Sequence, residues 1–161
     1  MKTNKLALIG ILTALYVVLS TFMKIPVIGN ISLDLGYIAL AIACGLVGPW
    51  AGFVGAVGCG LESILFSSYG FSISWFVANL IIGVMCGFMF KYTNNKIIRI
   101  VYTVVMVVIA VGLIKTIIEC NLYSIPMSVK LPKNLTAFVM DSICMIIGIY
   151  ILPRIEKAVK E

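Results

Sequence analysis

The sequence predicts an all-α integral membrane protein, built as a bundle of six transmembrane helices. Of its 161 residues, 62% are hydrophobic and only 11% are charged, whereas soluble domains carry charge on about a quarter of their residues. Because so few charged side chains cannot cover a water-exposed surface, the excess apolar surface must face lipid. The charges are also confined to short segments, which leaves apolar runs long enough to cross a hydrocarbon layer of ~30 Å.

We expect a single transmembrane domain over residues 1–161, because no linker or low-complexity tract interrupts the apolar runs. Gly48-Pro49 separates the second and third spans almost without a linker, and the stretch 121–134, with Pro126 and Pro132, is the longest predicted loop. The first apolar run is too long for the core of a signal peptide and lacks a cleavage site, so it is interpreted as a span. The predicted spans are residues 5–22, 35–48, 49–67, 72–90, 96–119 and 134–151.

The lysine and arginine residues predict the orientation of the chain, since cytoplasmic loops carry an excess of both. They favour cytoplasmic termini, with loops 23–34, 68–71 and 120–133 outside. The net charge of +6 therefore reflects topology and not a nucleic-acid surface. Eight basic residues fall on the side of the termini (Lys2, Lys5, Lys91, Lys96, Arg99, Arg154, Lys157, Lys160) and four on the other (Lys24, Lys115, Lys130, Lys133).

Small residues recur at four-residue spacing in the second and third spans, as in Ala39/Ala43 and Gly52/Ala56/Gly60. Such ridges let two helix backbones approach closely, so we expect these two spans to pack against each other. A similar pair on the first span, Gly10 and Ala14, could serve internal packing or dock another membrane protein. The five cysteines are scattered and the chain has no histidine, so we predict neither a disulfide nor a metal site.

Polar residues inside the last four spans cluster at one depth. With a rise of ~1.5 Å per residue, Glu62, Asn79, Lys115 and Asp141 lie about 7–10 Å inside the outer ends of these spans, and Glu119 lies at the mouth. Because burying charge in a bilayer is costly, such residues usually face a cavity or a partner. The sequence therefore predicts a substrate pocket that opens outward, with an apolar cytoplasmic half.

Each of these residues also has a purely structural explanation. Lys115 and Glu119 have the spacing of an ion pair within a helix, Glu62 can reach the interface, and Asn79 can bridge two helices. Asp141 is too short to reach water from its depth. The carboxylates outnumber the lysine, which favours a ligand with hydrogen-bond donors, such as a nitrogen-rich heterocycle. Aromatic and hydroxyl groups at the same level could form walls, although interfacial belts give the same pattern: Ser63, Tyr69, Phe71, Ser72 and Trp75.

Three stretches resemble the substrate-binding S components of energy-coupling factor (ECF) vitamin transporters. Leu6-Ala7-Leu8-Ile9-Gly10-Ile11-Leu12-Thr13-Ala14-Leu15 is similar to the first helix of that family, with Gly10 replacing the first alanine of an A-x-x-x-A pair. Asp34-Leu35-Gly36-Tyr37 through Gly48-Pro49-Trp50-Ala51-Gly52-Phe53-Val54-Gly55 resembles its passage from helix two to helix three. Leu131-Pro132-Lys133-Asn134-Leu135 resembles the start of its sixth helix.

The resemblance implies a six-helix S component in the bacterial cytoplasmic membrane, which captures a vitamin or related micronutrient from outside. A coupling subunit, contacted through Gly10 and Ala14, and two ATPases would drive release, so ATP would be used by partner subunits and no cofactor by this chain. Gly70-Phe71-Ser72-Ile73 leans toward the folate members. However, Cys59-Gly60-Leu61-Glu62 replaces an aspartate that is frequent in the family. Folate and deazaguanine ligands therefore both stay open, as do riboflavin, pantothenate and thiamine.

Two other functional classes compete with this interpretation. A stand-alone transporter or homo-oligomeric channel would use Gly10 and Ala14 for self-association. A membrane enzyme is disfavoured, because the sequence has no histidine and none of the common hydrolase, metalloprotease or Walker motifs. We therefore predict a transport protein that is not an enzyme.

Overall fold

The computed structural model describes residues 2–23, 25–28, 31–66 and 70–160. Apart from one short hairpin, these residues are mostly helical. A 3₁₀ turn (Gly48–Trp50) separates α2 from α3, and a π-helical segment (Val108–Lys115) joins α5 to α6. The helices are α1 (Lys2–Phe22), α2 (Gly36–Val47), α3 (Ala51–Phe66), α4 (Ile73–Tyr92), α5 (Lys96–Val107), α6 (Thr116–Tyr123) and α7 (Met127–Lys160).

Five stretches of the described chain are long and apolar enough to cross a membrane. The second of them contains both predicted spans 35–48 and 49–67, which meet at the 3₁₀ turn. Gly48 has a positive φ of 65° there, a conformation that glycine adopts without steric cost. The five stretches are Lys5–Phe22, Gly36–Phe66, Ile73–Tyr92, Lys96–Tyr123 and Met127–Val159.

The first predicted loop contains a short β-hairpin, and the rest of the described chain is mostly helical, as the predicted fold class requires. Strands β1 (Ile25–Ile28) and β2 (Ile31–Leu33) pair antiparallel. Strand β1 is rich in β-branched residues, which favour extended backbone. Strand β2 also contacts α7. The hairpin therefore lies at the end of the bundle where α3 and α6 end and α4 and α7 begin, which we call the cavity end.

Spans two and three contact each other, as at Gly55 and Leu40, but each packs more extensively against other helices. The α3 helix contacts α4 and α1 most, and α2 contacts α7 and α1 most. At the α3–α4 crossing, a Cβ built on Gly83 would lie 2.6 Å from the backbone of Ala51. On α7, a Cβ at Gly148 would lie 2.6 Å from the Cβ of Ala41. Glycines on the facing helices therefore decide which surfaces come closest.

The connection before the last helix is much shorter than the predicted loop 121–134. The α6 helix ends at Tyr123, and Ser124 adopts a left-handed conformation with φ of 51°. Pro126 precedes α7 and its carbonyl accepts hydrogen bonds from the amides of Val129 and Lys130. Pro132 lies inside α7 and does not break it. The breaker is therefore Pro126, and the two lysines that follow it lie on a helix.

At the opposite end of the bundle, the guanidinium of Arg99 on α5 binds the end of α4 and the connection between the two helices. It donates to the carbonyls of Phe90 (2.8 Å) and Thr93 (2.7 Å) and to the side chain of Asn94 (2.9 Å). A cation placed on the last carbonyls of a helix satisfies them and complements the helix dipole. Arg99 is 7% exposed, so this predicted edge residue has a structural role.

Candidate functional site

A cavity of about 610 Å³ lies at the cavity end, between the last turns of α3 and α6 and the first turns of α4 and α7. Its volume falls in the range that holds small-molecule ligands. Both aromatic and charged side chains face it. The lining residues are Glu62, Ser63, Gly70, Phe71, Ser72, Trp75, Glu119, Tyr123, Ile125, Lys130 and Lys133.

The walls include four of the five residues expected from the aromatic and hydroxyl pattern. Ser63, Phe71, Ser72 and Trp75 line the cavity, and Tyr69 lies outside the described residues. Phe71 also contacts Phe76, with ring centroids 5.6 Å apart. Phe71 and Trp75, near the start of α4, give the cavity apolar surfaces on which a flat ring can stack.

Below this wall, Lys115 and Glu119 form a buried ion pair. The ammonium lies 3.0 Å from a carboxylate oxygen of Glu119, and the two side chains are 4% and 8% exposed. The same ammonium lies 4.2 Å from the ring centroid of Trp75, within the range of a cation–π contact. Lys115 thus contacts both Glu119 and Trp75. The four-residue spacing of Lys115 and Glu119 is that of an ion pair within a helix, as the sequence predicts.

Glu119 accepts further contacts that fix its carboxylate. Lys130 pairs with its second oxygen at 3.3 Å, and the amide of Asn134 donates to that oxygen at 3.2 Å. The Ser74 hydroxyl donates to the first oxygen at 3.3 Å. Asn134 also accepts from Lys115 and donates to Thr116. Because a buried charge needs such partners, this network holds α6, α4 and α7 together beneath the cavity.

The remaining predicted site residues lie in different surroundings. Glu62 lines the cavity from α3. Asn79 is 1% exposed and donates to the carbonyl of Trp75 at 3.0 Å. Within the described chain, the side-chain oxygen of Asn79 has no hydrogen-bond partner. Asp141 is 3% exposed and lies on α7. Asn79, Lys115 and Asp141 are not among the residues that line the cavity.

A second polar group surrounds Asp34 at the base of the hairpin. One Asp34 oxygen accepts from the Ser20 hydroxyl at 2.7 Å and from the Gly36 amide at 2.9 Å. The rings of Tyr16 and Tyr37 contact each other edge to face nearby, 6.4 Å apart. Asp34 thus ties the end of α1 to the start of α2, as an aspartate at a helix terminus does.

The charge balance at the cavity differs from the expectation that carboxylates outnumber lysine. Among the lining residues, Glu62 and Glu119 supply two negative charges and Lys130 and Lys133 supply two positive ones, so the carboxylates do not outnumber the lysines. The expectation was wrong because α7 begins at Met127 and carries Lys130 and Lys133 to the cavity. The sequence predicts a loop at both lysines and does not indicate Asn134 as a site residue. The sequence does carry one signal for this arrangement: Lys133 and Asn134 lie three and four residues after Lys130, the spacing of one helix face.

Gly10 and Ala14 lie on the outer face of α1, and neither lines the cavity. Both are exposed, and a Cβ at Gly10 would have no atom within 4 Å among the described residues. The opposite face of α1 carries the buried residues Leu12, Tyr16 and Ser20. This pair is therefore not used for packing within the described chain. Its predicted contact with a partner subunit stays a prediction.

Metal binding and disulfides have no support in the described part of the chain. All five cysteines are free. No group of three histidine, cysteine, aspartate or glutamate side chains among the described residues is arranged to hold a metal ion.

Comparison with solved structures places this fold. The chain is similar to the S component for biotin from an ECF-type ABC transporter, with a TM-score of 0.70, 19% identity and coverage of 97% of this chain and 92% of that one. It is also similar to FolT bound with folic acid, with a TM-score of 0.73, 22% identity and coverage of 94% and 92%. At these identities the likeness establishes the ECF S-component fold alone.

Sequence relatives extend the comparison. A UPF0397 protein of Enterococcus faecalis is 30% identical over 161 residues, which cover 92% of this chain and 87% of that protein. A UPF0397 protein of Clostridium perfringens is 38% identical over 95 residues, which cover 55% of this chain and 51% of that protein. The match thus spans about half of the length of the Clostridium perfringens relative.

A family model described as ECF-type riboflavin transporter, S component, matches residues 1–158. The match confirms the predicted resemblance to S components. It also confirms that the chain is not an enzyme, because the family is a class of transporter components. The chain belongs to this family of ECF-type riboflavin transporter S components and is a membrane subunit of the substrate-binding type.

Proposed function

We propose that this chain captures a vitamin or related micronutrient from outside the cell in the cavity at the cavity end. It would lie in the bacterial cytoplasmic membrane as one domain with six crossings and cytoplasmic termini. It would deliver its substrate with a transmembrane coupling subunit and two ATPase subunits, which use the ATP. The exposed pair Gly10 and Ala14 would dock the coupling subunit.

One observation carries this proposal: side chains from four helices meet around one cavity at the end where the outer loops are predicted. Glu62, Trp75, Glu119 and Lys130 come from α3, α4, α6 and α7 and all face it. Convergent polar groups among aromatic walls are typical of a small-molecule site. The likeness of the fold to S components supports assigning capture, rather than conduction, to this site.

For the ligand, we favour a folate, pterin or deazaguanine-like heterocycle. Trp75 and Phe71 offer stacking surfaces, and Glu62 offers a carboxylate that an amidine-like ring edge can bind with two hydrogen bonds. Asn79 and Asp141 would support the site from behind. The likeness to FolT bound with folic acid supports this choice. Riboflavin is the second candidate, because the matching family model is described by that vitamin.

A stand-alone transporter or homo-oligomeric channel is the alternative function, and the exposed face of α1 at Gly10 and Ala14 is the observation that favours it. The two proposals differ in their need for energy-coupling partners. Substrate uptake by this chain in cells that lack every coupling module would favour the alternative.

The purified chain is expected to bind its ligand without ATP, and a thermal unfolding screen measures this. At a ligand concentration of 100 times Kd, binding stabilises the folded state by about 2.7 kcal/mol, which raises Tm by roughly 5–10 °C for a domain of this size. The panel comprises folic acid, pterin, 7-deazaguanine, riboflavin, pantothenate, thiamine and biotin. If no compound in this panel raised Tm, the proposed vitamin-binding function would be contradicted.

A further inference from the structure

Two lysines on the first turns of α7 face the cavity. Lys130 and Lys133 are three residues apart, so they lie on the same side of the helix. Both line the cavity, and both follow the start of α7 at Met127. The positive end of the helix dipole adds to their charge at this place. This part of the cavity is therefore positively charged.

The carboxylate that contacts Lys130 is already neutralised. Glu119 pairs with Lys115 at 3.0 Å and with Lys130 at 3.3 Å, so two ammonium groups share one carboxylate. Asn134 and Ser74 occupy further positions around its oxygens. Glu119 therefore has little capacity left to bind a ligand or to neutralise Lys133, and the network retains a positive excess.

Lys133 forms no ion pair with Glu119, in contrast to Lys115 and Lys130. Among the residues that the structure describes, no carboxylate lies within 4.0 Å of its ammonium. The residue is exposed, so its ammonium can meet a ligand without first losing an internal partner. The side chain of Lys130 is 21% exposed, and an ammonium has three donors, so it can bind Glu119 and a ligand oxygen together.

We propose that the substrate carries a carboxylate or phosphate group, which binds Lys133 and Lys130 while its ring contacts Trp75 and Phe71. This inference rests on the proposed function and separates its candidate ligands into those with an anionic group and those without one. Folates, biotin and flavin mononucleotide carry such a group, whereas pterin, 7-deazaguanine and riboflavin do not. The substrate class is thus an aromatic or heterocyclic acid, recognised by its ring at the wall and by its anion at the start of α7.

The test compares matched pairs of ligands on the full chain in neutral detergent: folic acid with its diamide, flavin mononucleotide with riboflavin, and biotin with its amide. We expect the acid of at least one pair to bind about tenfold more tightly than its neutral partner, as a charge-assisted contact predicts. Lys133→Met is expected to remove most of that preference, and Lys133→Arg to keep it. Lys157→Met, an exposed lysine at the other end of α7, is the matched control and should change nothing.

Three outcomes would overturn the inference. Equal affinities within every pair, with Lys133→Met behaving like Lys157→Met, would show that the site binds a neutral ligand, although the proposed function would stand. If Lys133→Met changed only the retention of phosphatidylglycerol in mass spectra of the native protein, the lysines would bind lipid headgroups instead. If no member of any pair bound, the proposed function itself would fail and this inference with it.

Discussion

Replacing Glu119 by glutamine is expected to lower the free energy of unfolding of the ligand-free protein by about 3–5 kcal/mol. The single amide oxygen of the glutamine can still accept from Asn134 or from Ser74, but not from both as the carboxylate does. The substitution also leaves the ammonium of Lys115, which is 3% exposed, without the carboxylate that pairs with it. Removing one partner of a buried pair costs more than the pair itself contributes, because a charge stays buried. Equilibrium unfolding in mixed micelles with increasing SDS measures the change.

Two further variants separate this effect from a general loss of charge. Glu156→Gln, near the other end of α7, should change the stability by less than about 0.5 kcal/mol. The double variant Lys115→Met/Glu119→Gln should recover part of the loss, because no uncompensated lysine remains at that position. A Glu119→Gln protein as stable as the wild type would show that the network does not stabilise the fold.

The second large effect is expected from Gly87→Ala on α4, which should destabilise the protein by about 3 kcal/mol. A Cβ built at Gly87 would lie 2.2 Å from the carbonyl oxygen and 2.4 Å from the carbonyl carbon of Gly48. These are backbone atoms, so no side-chain rotation can relieve the overlap, and α4 would have to move away from the 3₁₀ turn. The same unfolding measurement in SDS reports the loss.

Gly10→Ala is the matched control for this substitution. Gly10 also lies within a helix, but a Cβ there would have open space around it in the described chain. Since alanine is favoured over glycine in a helix by about 0.5–1 kcal/mol, this variant should be as stable as the wild type or slightly more stable. Equal stability of Gly87→Ala and Gly10→Ala would contradict the close crossing at Gly48.

Hydropathy and charge placement were sufficient to predict the class of protein, because these features follow from the bilayer itself. Of the polar residues predicted at one depth, Glu62 lines the candidate cavity, whereas Asn79, Lys115 and Asp141 are not among its lining residues. Glu62, Trp75 and Glu119 line the cavity, and Lys115 pairs with Glu119 as their spacing allows. A rise of fixed length along each helix was the physical basis of that prediction.

The charge of the cavity could not be read correctly from the sequence, because it depends on where one helix begins. Both Pro126 and Pro132 are possible breakers, and only the structure shows that α7 starts between them. That boundary moves Lys130 and Lys133 from a loop to the cavity wall and brings Asn134 to Glu119. A shift of a few residues in one boundary thus removed the expected excess of negative charge at the cavity.

The pairing of helices was beyond sequence reasoning for a related reason. Small residues on α2 and α3 indicate that close contacts occur, but not which helix makes them. Gly83 and Gly87 on α4 and Gly148 on α7 were equally visible in the sequence. Their role depends on how the helices are arranged in three dimensions.

The central claim, that ligand binds at the cavity end, is tested most directly by measuring affinity in two tryptophan variants. The chain has two tryptophans: Trp75 lines the cavity, and Trp50 lies at the opposite end, 50% exposed. Stacking on an aromatic side chain contributes about 1–3 kcal/mol, so isothermal titration with the ligand found by screening should show Trp75→Ala binding roughly 10–100-fold more weakly and Trp50→Ala binding like the wild type. Unchanged affinity in Trp75→Ala, with a loss in Trp50→Ala, would place the ligand elsewhere and contradict this account.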